Sequence, residues 1–328
     1  MRIIADRWGT LNQAAENAME KYLVRGAAAA LIHNGSVSHA ACYGMADPDE
    51  KRPVDGQTHF EIASLTKTVF AYYVLNLEEQ GKIDLDRPLV TYADQTILLP
   101  SDDPAFQKVT ARHVLMHASG LPNWGDAPLA LRCTPGTSFS YSGKAYTFLQ
   151  EIVEHIMGAR IDVLLQEDLF NPLGMSDAAM IWTGPLNRTL SRSFDWNGAV
   201  EPPRHTCRRS VAIEPNVAFT LYSTIHDYTA FVRHLMAEPE KIRKIRSSRN
   251  PVSRGVSWGL GWGMYREVLW HWGDNGGFKS FVIFDPETGD GMVIHTNSYH
   301  GLNLCYDLVA HMTDFDLDDI RYVVAHAE

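Results

Sequence analysis

The chain has 328 residues, 45% of them hydrophobic and 21% charged, with a formal net charge of −10 at pH 7. That composition supplies an ample globular core for one large domain or two lobes. The acidic balance, with a pI near 5.8, excludes a general nucleic-acid binder.

The start, Met1-Arg2-Ile3-Ile4-Ala5-Asp6-Arg7-Trp8, meets charge too early for a signal peptide. The apolar run from Ala27 to Ile32 is too short to span a bilayer. A cytoplasmic protein with no membrane partner is expected. Leu11 to Leu23 carries apolar residues at helical spacing. Two β-like runs follow, Gly26 to His33 and Ser36 to Tyr43, joined by the hairpin signal Asn34-Gly35. A Gly/Asp/Pro-rich stretch from Gly44 to Gly56 leads to Phe60-Glu61-Ile62-Ala63-Ser64-Leu65-Thr66-Lys67. Thr68 to Gln80 is apolar-rich and helical, and Gly81 suits its C-cap. From Asp84 to about Pro251 the pattern is helices and loops, with helices near Ala111–Met116, Lys144–Met157, Val163–Leu169 and Ile225–Met236. Three strands are expected at Glu267–Gly273, Phe278–Phe284 and Gly291–Thr296, then a helix from Leu302 to Met312. Strands thus flank a long helical insert, and the two ends of the chain are expected to share one sheet.

The cysteines Cys42, Cys133, Cys207 and Cys305 are far apart and form no CxxC, so they read as free thiols in a reducing compartment. His113 and His117 stand at i, i+4, but no Glu follows His113, and a structural role is favoured over a metal site. The basic run Lys241, Arg243, Lys244, Arg246, Arg249 and Arg254 fits an anionic partner or, preferably, a solvated face.

Ser64 and Lys67 lie three apart, one helical turn on one face. A serine hydroxyl is a weak nucleophile until a base takes its proton, and a Lys beside it can be that base. The same spacing also fits a helix-start Ser with an exposed Lys. Tyr141 of Tyr141-Ser142-Gly143 sits at a turn before a helix. A nearby ammonium would favour its phenolate and let it relay a proton; a half-buried aromatic is the plainer alternative. His271-Trp272-Gly273 is on the first C-terminal strand, followed by Asp274. Gly there lets a substrate approach the strand edge, whose N–H groups can stabilise an oxyanion. His271 could contact a carbonyl or carboxylate, or simply be structural.

With these motifs in this order, the chain resembles the penicillin-recognising serine hydrolases: class C β-lactamases, DD-peptidases, D-aminopeptidases and related esterases. The resemblance runs from about Ala27 to His311. It is carried also by Val109 to Pro122 (ending His117-Ala118-Ser119-Gly120-Leu121-Pro122), Asn171-Pro172-Leu173-Gly174-Met175, Leu221 to Asp227 and Gly259-Leu260-Gly261-Trp262. It implies an α+β fold: an antiparallel sheet flanked by helices, with a large helical insert. Residues 1–66 plus 255–328 would form an α/β lobe and 67–254 a helical lobe, with the active site between them. It implies Ser64 as acylated nucleophile, Lys67 as its base or electrostatic partner, and Tyr141 sharing the proton traffic. The N–H groups of Ser64 and Asp274 would form the oxyanion hole. No metal or organic cofactor is implied.

Two departures bear on substrate. The second motif often ends in Asn, whose amide holds the acyl side chain; here it is Gly143. The third is usually Lys-Thr-Gly; here it is His271-Trp272-Gly273. His271 can replace the Lys at a carboxylate only when protonated. Weak or absent β-lactamase activity is therefore expected, with small esters or amides and short peptides, including those with D-residues, as substrates. An acyltransferase using the same acyl-enzyme, or a catalytically inactive binding protein, are the alternatives. Tyr72, Tyr73, Trp124, Tyr222 and Trp262 could shape a pocket for an apolar acyl or aryl group, with core packing the plainer reading of each, whereas Trp272 is placed in the pocket by its motif.

Overall fold

The computed structural model describes residues 1–202 and 213–327. Eleven strands are formed among them: β1 (Gly26–His33), β2 (Ser36–Asp47), β3 (Arg52–Pro53), β4 (Phe60–Glu61), β5 (Tyr222–Ser223), β6 (Asn250–Ser253), β7 (Val256–Trp258), β8 (Gly263–Tyr265), β9 (Val268–Asn275), β10 (Phe278–Asp285) and β11 (Asp290–Thr296). Nine build one antiparallel sheet in the order β3-β2-β1-β11-β10-β9-β8-β7-β6, and β4 pairs with β5 apart from it. The chain's two ends meet at β1 and β11, with Ala29 opposite Ile294.

The period of two in β1 explains the layering. Ala28, Ala30 and Ile32 face one apolar cluster, while Ala27, Ala29 and Leu31 face another. Helix Ile225–Met236 covers the first face; helices Leu11–Tyr22 and Gly301–Met312 cover the second. A sheet with helices on both sides buries both faces, and each fully buried Val, Leu or Ile contributes about 1.5–3 kcal/mol. Asn34 and Gly35 both take positive φ (51° and 74°), as the tight hairpin turn requires.

Helix Thr66–Glu79 is buried on all sides from Thr66 to Leu75, and so lacks a polar stripe. The expected helix at Val163–Leu169 is divided between an α-helix, Ile161–Leu165, and a π-helical turn, Gln166–Phe170. β6, β7 and β8 escape a periodicity reading because each has only three or four residues. The helices Pro239–Ser247 and Asp318–His326 are also additional to the expected set.

Most of the basic run lies on helix Pro239–Ser247 and is matched by carboxylates. Lys241 meets Glu79 at 3.2 Å, Lys244 pairs with Glu78, Arg243 with Glu240, and Arg246 meets Glu287 at 3.3 Å. Cys42, Cys133 and Cys305 are free thiols; Cys207 lies outside the described residues. Among the described residues, no helix is long and apolar enough to cross a membrane.

Candidate active site

Ser64 sits in a 3-10 turn, Ala63–Leu65, that runs directly into helix Thr66–Glu79. Ala63 is held at φ 52°, a left-handed conformation costing a non-glycine residue about 1–2 kcal/mol. The Thr66 hydroxyl helps hold the turn, donating to the Ala63 carbonyl at 2.6 Å and accepting the Leu221 N–H at 3.1 Å. Lys67 is one turn on, and its Nζ donates to Ser64 Oγ at 3.0 Å and to the Ala218 carbonyl at 2.8 Å. The Lys67 side chain is almost fully buried, with no carboxylate partner among the described residues. Burial therefore penalises its charge and lowers its pKa from 10.5 to about 7. A Lys that is readily neutral near physiological pH can accept the proton of a hydrogen-bonded serine.

Tyr141 closes over this pair: Lys67 Nζ is 4.9 Å from its ring centroid. The Tyr141 ring packs at 4.1 Å on His117, a residue of the Val109–Pro122 run. His117 Nδ1 accepts the Ser142 N–H at 3.1 Å, which ties the two segments together. Burial, with Lys67 and His271 nearby, pushes its pKa well below the usual histidine range. His113 instead caps its own helix, exchanging hydrogen bonds with Thr110.

The opposite wall is β9. β8 pairs with β9 only as far as Trp270, so the edge beyond it is free to meet the Ser64 turn. Gly273 makes that approach possible, because a Cβ there would stand 2.2 Å from the Ile62 carbonyl oxygen. Side chains on a strand alternate, and Trp272 and Asp274 line the cavity while His271 does not. His271 is fully buried, packed on Trp258 at 5.2 Å, and its Nδ1–H donates to the Trp272 carbonyl at 2.7 Å. Burial, reinforced by Lys67, pushes its pKa down to about 3. His271 is thus buried beside Lys67 and Tyr141 and does not line the cavity, and its ring is neutral. Asp274 is ion-paired to Lys279 and accepts the Gly276 N–H at 3.0 Å.

Ser64, Lys67, Tyr141, Trp272 and Asp274 share a cavity of about 510 Å³. Its remaining walls are Asn123, Trp124, Asn216, Phe219 and Asn275. Trp124 lines the cavity and is 50% exposed, whereas Tyr72, Tyr73, Tyr222 and Trp262 are buried in the core. Gly143 does not line the cavity, because the Trp124 indole lies across it; a Cβ at 143 would be 2.4 Å from the ring. Asn123 and Trp124 directly follow the Gly120-Leu121-Pro122 run, and that adjacency was the available signal. Asn216 and Phe219 carry no motif and reach the site only through tertiary folding.

The β-lactamase family profile matches residues 11–309. The chain is 22% identical over 352 aligned positions to Protein flp of Staphylococcus aureus (strain COL), covering 98% of this chain and 69% of that protein. It is 29% identical over 166 residues to an uncharacterized protein of Alkalihalophilus pseudofirmus, spanning half of this chain but only 46% of the relative's length. Among solved structures, the D-alanine carboxypeptidase AmpC of Burkholderia cenocepacia superposes with a TM-score of 0.78 at 19% identity, covering 94% of this chain and 99% of that one. At that identity the likeness is one of fold. With all but the first ten and last nineteen residues inside the profile match, the chain belongs to the β-lactamase family.

Proposed function

We propose that the protein is a serine hydrolase that works through an acyl-enzyme on Ser64. The observation that carries this reading is the 3.0 Å contact between Ser64 Oγ and a buried Lys67 whose pKa lies near 7, at the wall of an open cavity. In the first half-reaction, Ser64 Oγ bonds to the substrate carbonyl carbon as its proton passes to neutral Lys67. The carbonyl electrons move to oxygen, where the N–H groups of Ser64 and Asp274 serve as oxyanion donors. Each such preorganised donor is worth about 3 kcal/mol. The oxyanion then collapses, the ester or amide bond breaks, and the leaving group departs with the proton, relayed by Lys67 and Tyr141. Water repeats the sequence on the acyl carbon, releasing the acid and restoring the Ser64 hydroxyl. The reaction lies between the lobe of residues 1–66 and 255–328 and the helical lobe, 67–254.

The substrates are small esters, or amides and short peptides, with D-residues in view of the carboxypeptidase named above. β-Lactam turnover is weak in this reading. Gly143 offers no side-chain amide, and a neutral, inward-facing His271 supplies no cation for a carboxylate. The test compares p-nitrophenyl butyrate, D-alanine p-nitroanilide and nitrocefin, with Ser64→Ala as control. Ser64-dependent cleavage of the ester or the anilide, exceeding that of nitrocefin, is expected. Nitrocefin turnover above both would overturn the substrate assignment, and activity unchanged in Ser64→Ala would overturn the mechanism.

A further inference from the structure

Asp274 follows Gly273 on β9 and lines the cavity. Its N–H is the oxyanion donor proposed above, so its carboxylate hangs from the same residue as that donor. An uncompensated carboxylate there opposes catalysis, because each tetrahedral intermediate puts a second negative charge beside it. At a separation of roughly 6 Å and an effective dielectric near 20, two like charges are coupled strongly enough to change a rate by more than about tenfold.

Lys279 answers that charge. It stands directly opposite Asp274 in the β9–β10 ladder, so both side chains leave the same face of the sheet. It is 5% exposed, and Asp274 is its one carboxylate partner among the described residues. Its ammonium ion-pairs with Asp274 Oδ1 and lies 4.7 Å from the centroid of the Tyr299 ring, a second favourable contact for a buried cation. The same Oδ1 accepts the Gly276 N–H at 3.0 Å, in a turn where Gly276 takes φ 63°. One carboxylate oxygen thus holds both the cation and the turn that carries the Asp274 backbone. Lys279 is itself anchored, since the Thr296 hydroxyl donates to its carbonyl at 3.1 Å.

We propose that Lys279 is a positioning residue of the reaction. It cancels the Asp274 charge and, through the Asp274 carboxylate, holds the Asp274 N–H toward the oxyanion. This assignment rests on the Ser64 reading above. The cancelled repulsion matters only once the carbonyl oxygen becomes negative, so its loss falls on kcat rather than on KM.

The test measures kcat and KM for p-nitrophenyl butyrate, with thermal melts to confirm folding. Lys279→Met is expected to lower kcat about thirtyfold and to leave KM within about twofold. Lys279→Gln keeps a hydrogen-bond donor without the charge; it is expected to show the same fall, and carries the test if the Met variant does not fold. Adding Asp274→Asn to Lys279→Met removes the opposing charge and keeps an acceptor for the Gly276 N–H. Most of the lost kcat is expected to return in that double variant, whereas a merely structural Lys279 would give a second loss. Wild-type kcat in Lys279→Met, or a double variant no faster than Lys279→Met, overturns the proposal. Ser64→Ala, measured in parallel, separates the two readings. Full turnover there overturns the Ser64 mechanism, while an inactive Ser64→Ala beside an unaffected Lys279→Met overturns only the role of Lys279.

Discussion

Two short segments meet at the cavity and present their side chains by different rules. Ala63–Lys67 enters a helix, so Ser64 and Lys67, three apart, both reach one surface. His271–Asp274 is a strand, so neighbours face opposite ways: Trp272 and Asp274 reach the cavity, and His271 is sealed against Trp258. The difference shows in their charges. Lys67 is pushed only to about 7 and remains able to exchange a proton at working pH, whereas His271 is pushed to about 3 and stays neutral. Burial thus leaves a titratable amine in one segment and a neutral, packed ring in the other.

The comparison breaks most readily at Lys67. Lys67→Met removes the proposed proton acceptor and is expected to lower kcat/KM by about 10²–10⁴-fold. In the wild type, the neutral amine predominates above its lowered pKa. Activity is therefore expected to rise as pH increases through about 7 and to be lost below it. A pH–rate profile in both proteins checks this, and an unchanged limb in Lys67→Met would assign the titration elsewhere. A smaller effect is expected from Gly273→Ala. Its Cβ meets the Ile62 carbonyl oxygen at 2.2 Å and must move β9 away from the Ser64 turn. Misplacement on that scale costs about a hundredfold in rate, which steady-state kinetics alongside a thermal melt will separate from general unfolding. His271→Asn is expected to lower stability by about 1–3 kcal/mol through lost packing. It should leave the preference between carboxylate-bearing and neutral esters unaltered, and no limb between pH 5 and 8 should disappear. A loss confined to carboxylate-bearing esters would return His271 to the substrate. The smallest effect belongs to the basic helix. Arg243→Ala, at an exposed pair with Glu240, is expected to change stability by less than about 0.5 kcal/mol.

Local order governs what the sequence makes legible. The hairpin at Asn34-Gly35 and the Ser64–Lys67 pair are set by residues within a few positions of each other, so both are readable before any tertiary structure is known. The shared sheet is readable as well, because β1, β10 and β11 are long enough to show their apolar character. β6, β7 and β8 are too short to do so. The direction of His271 is poorly legible because a strand residue can face either way, and only the register with β10 and the approach to Ile62 decide it. Trp124 is an aromatic in a loop, and nothing local says that its ring crosses Gly143, nineteen residues later, rather than entering the core. Asn216 and Phe219 are brought to the cavity from still further along the chain.

The central claim is the covalent step on Ser64. Its most direct test is rapid mixing with p-nitrophenyl butyrate, followed by acid quench and peptide mass mapping. A p-nitrophenol burst approaching one equivalent and a butyryl group on the peptide containing Ser64 are expected, both absent in Ser64→Ala. A butyryl group on another residue, or full turnover by Ser64→Ala, would contradict it.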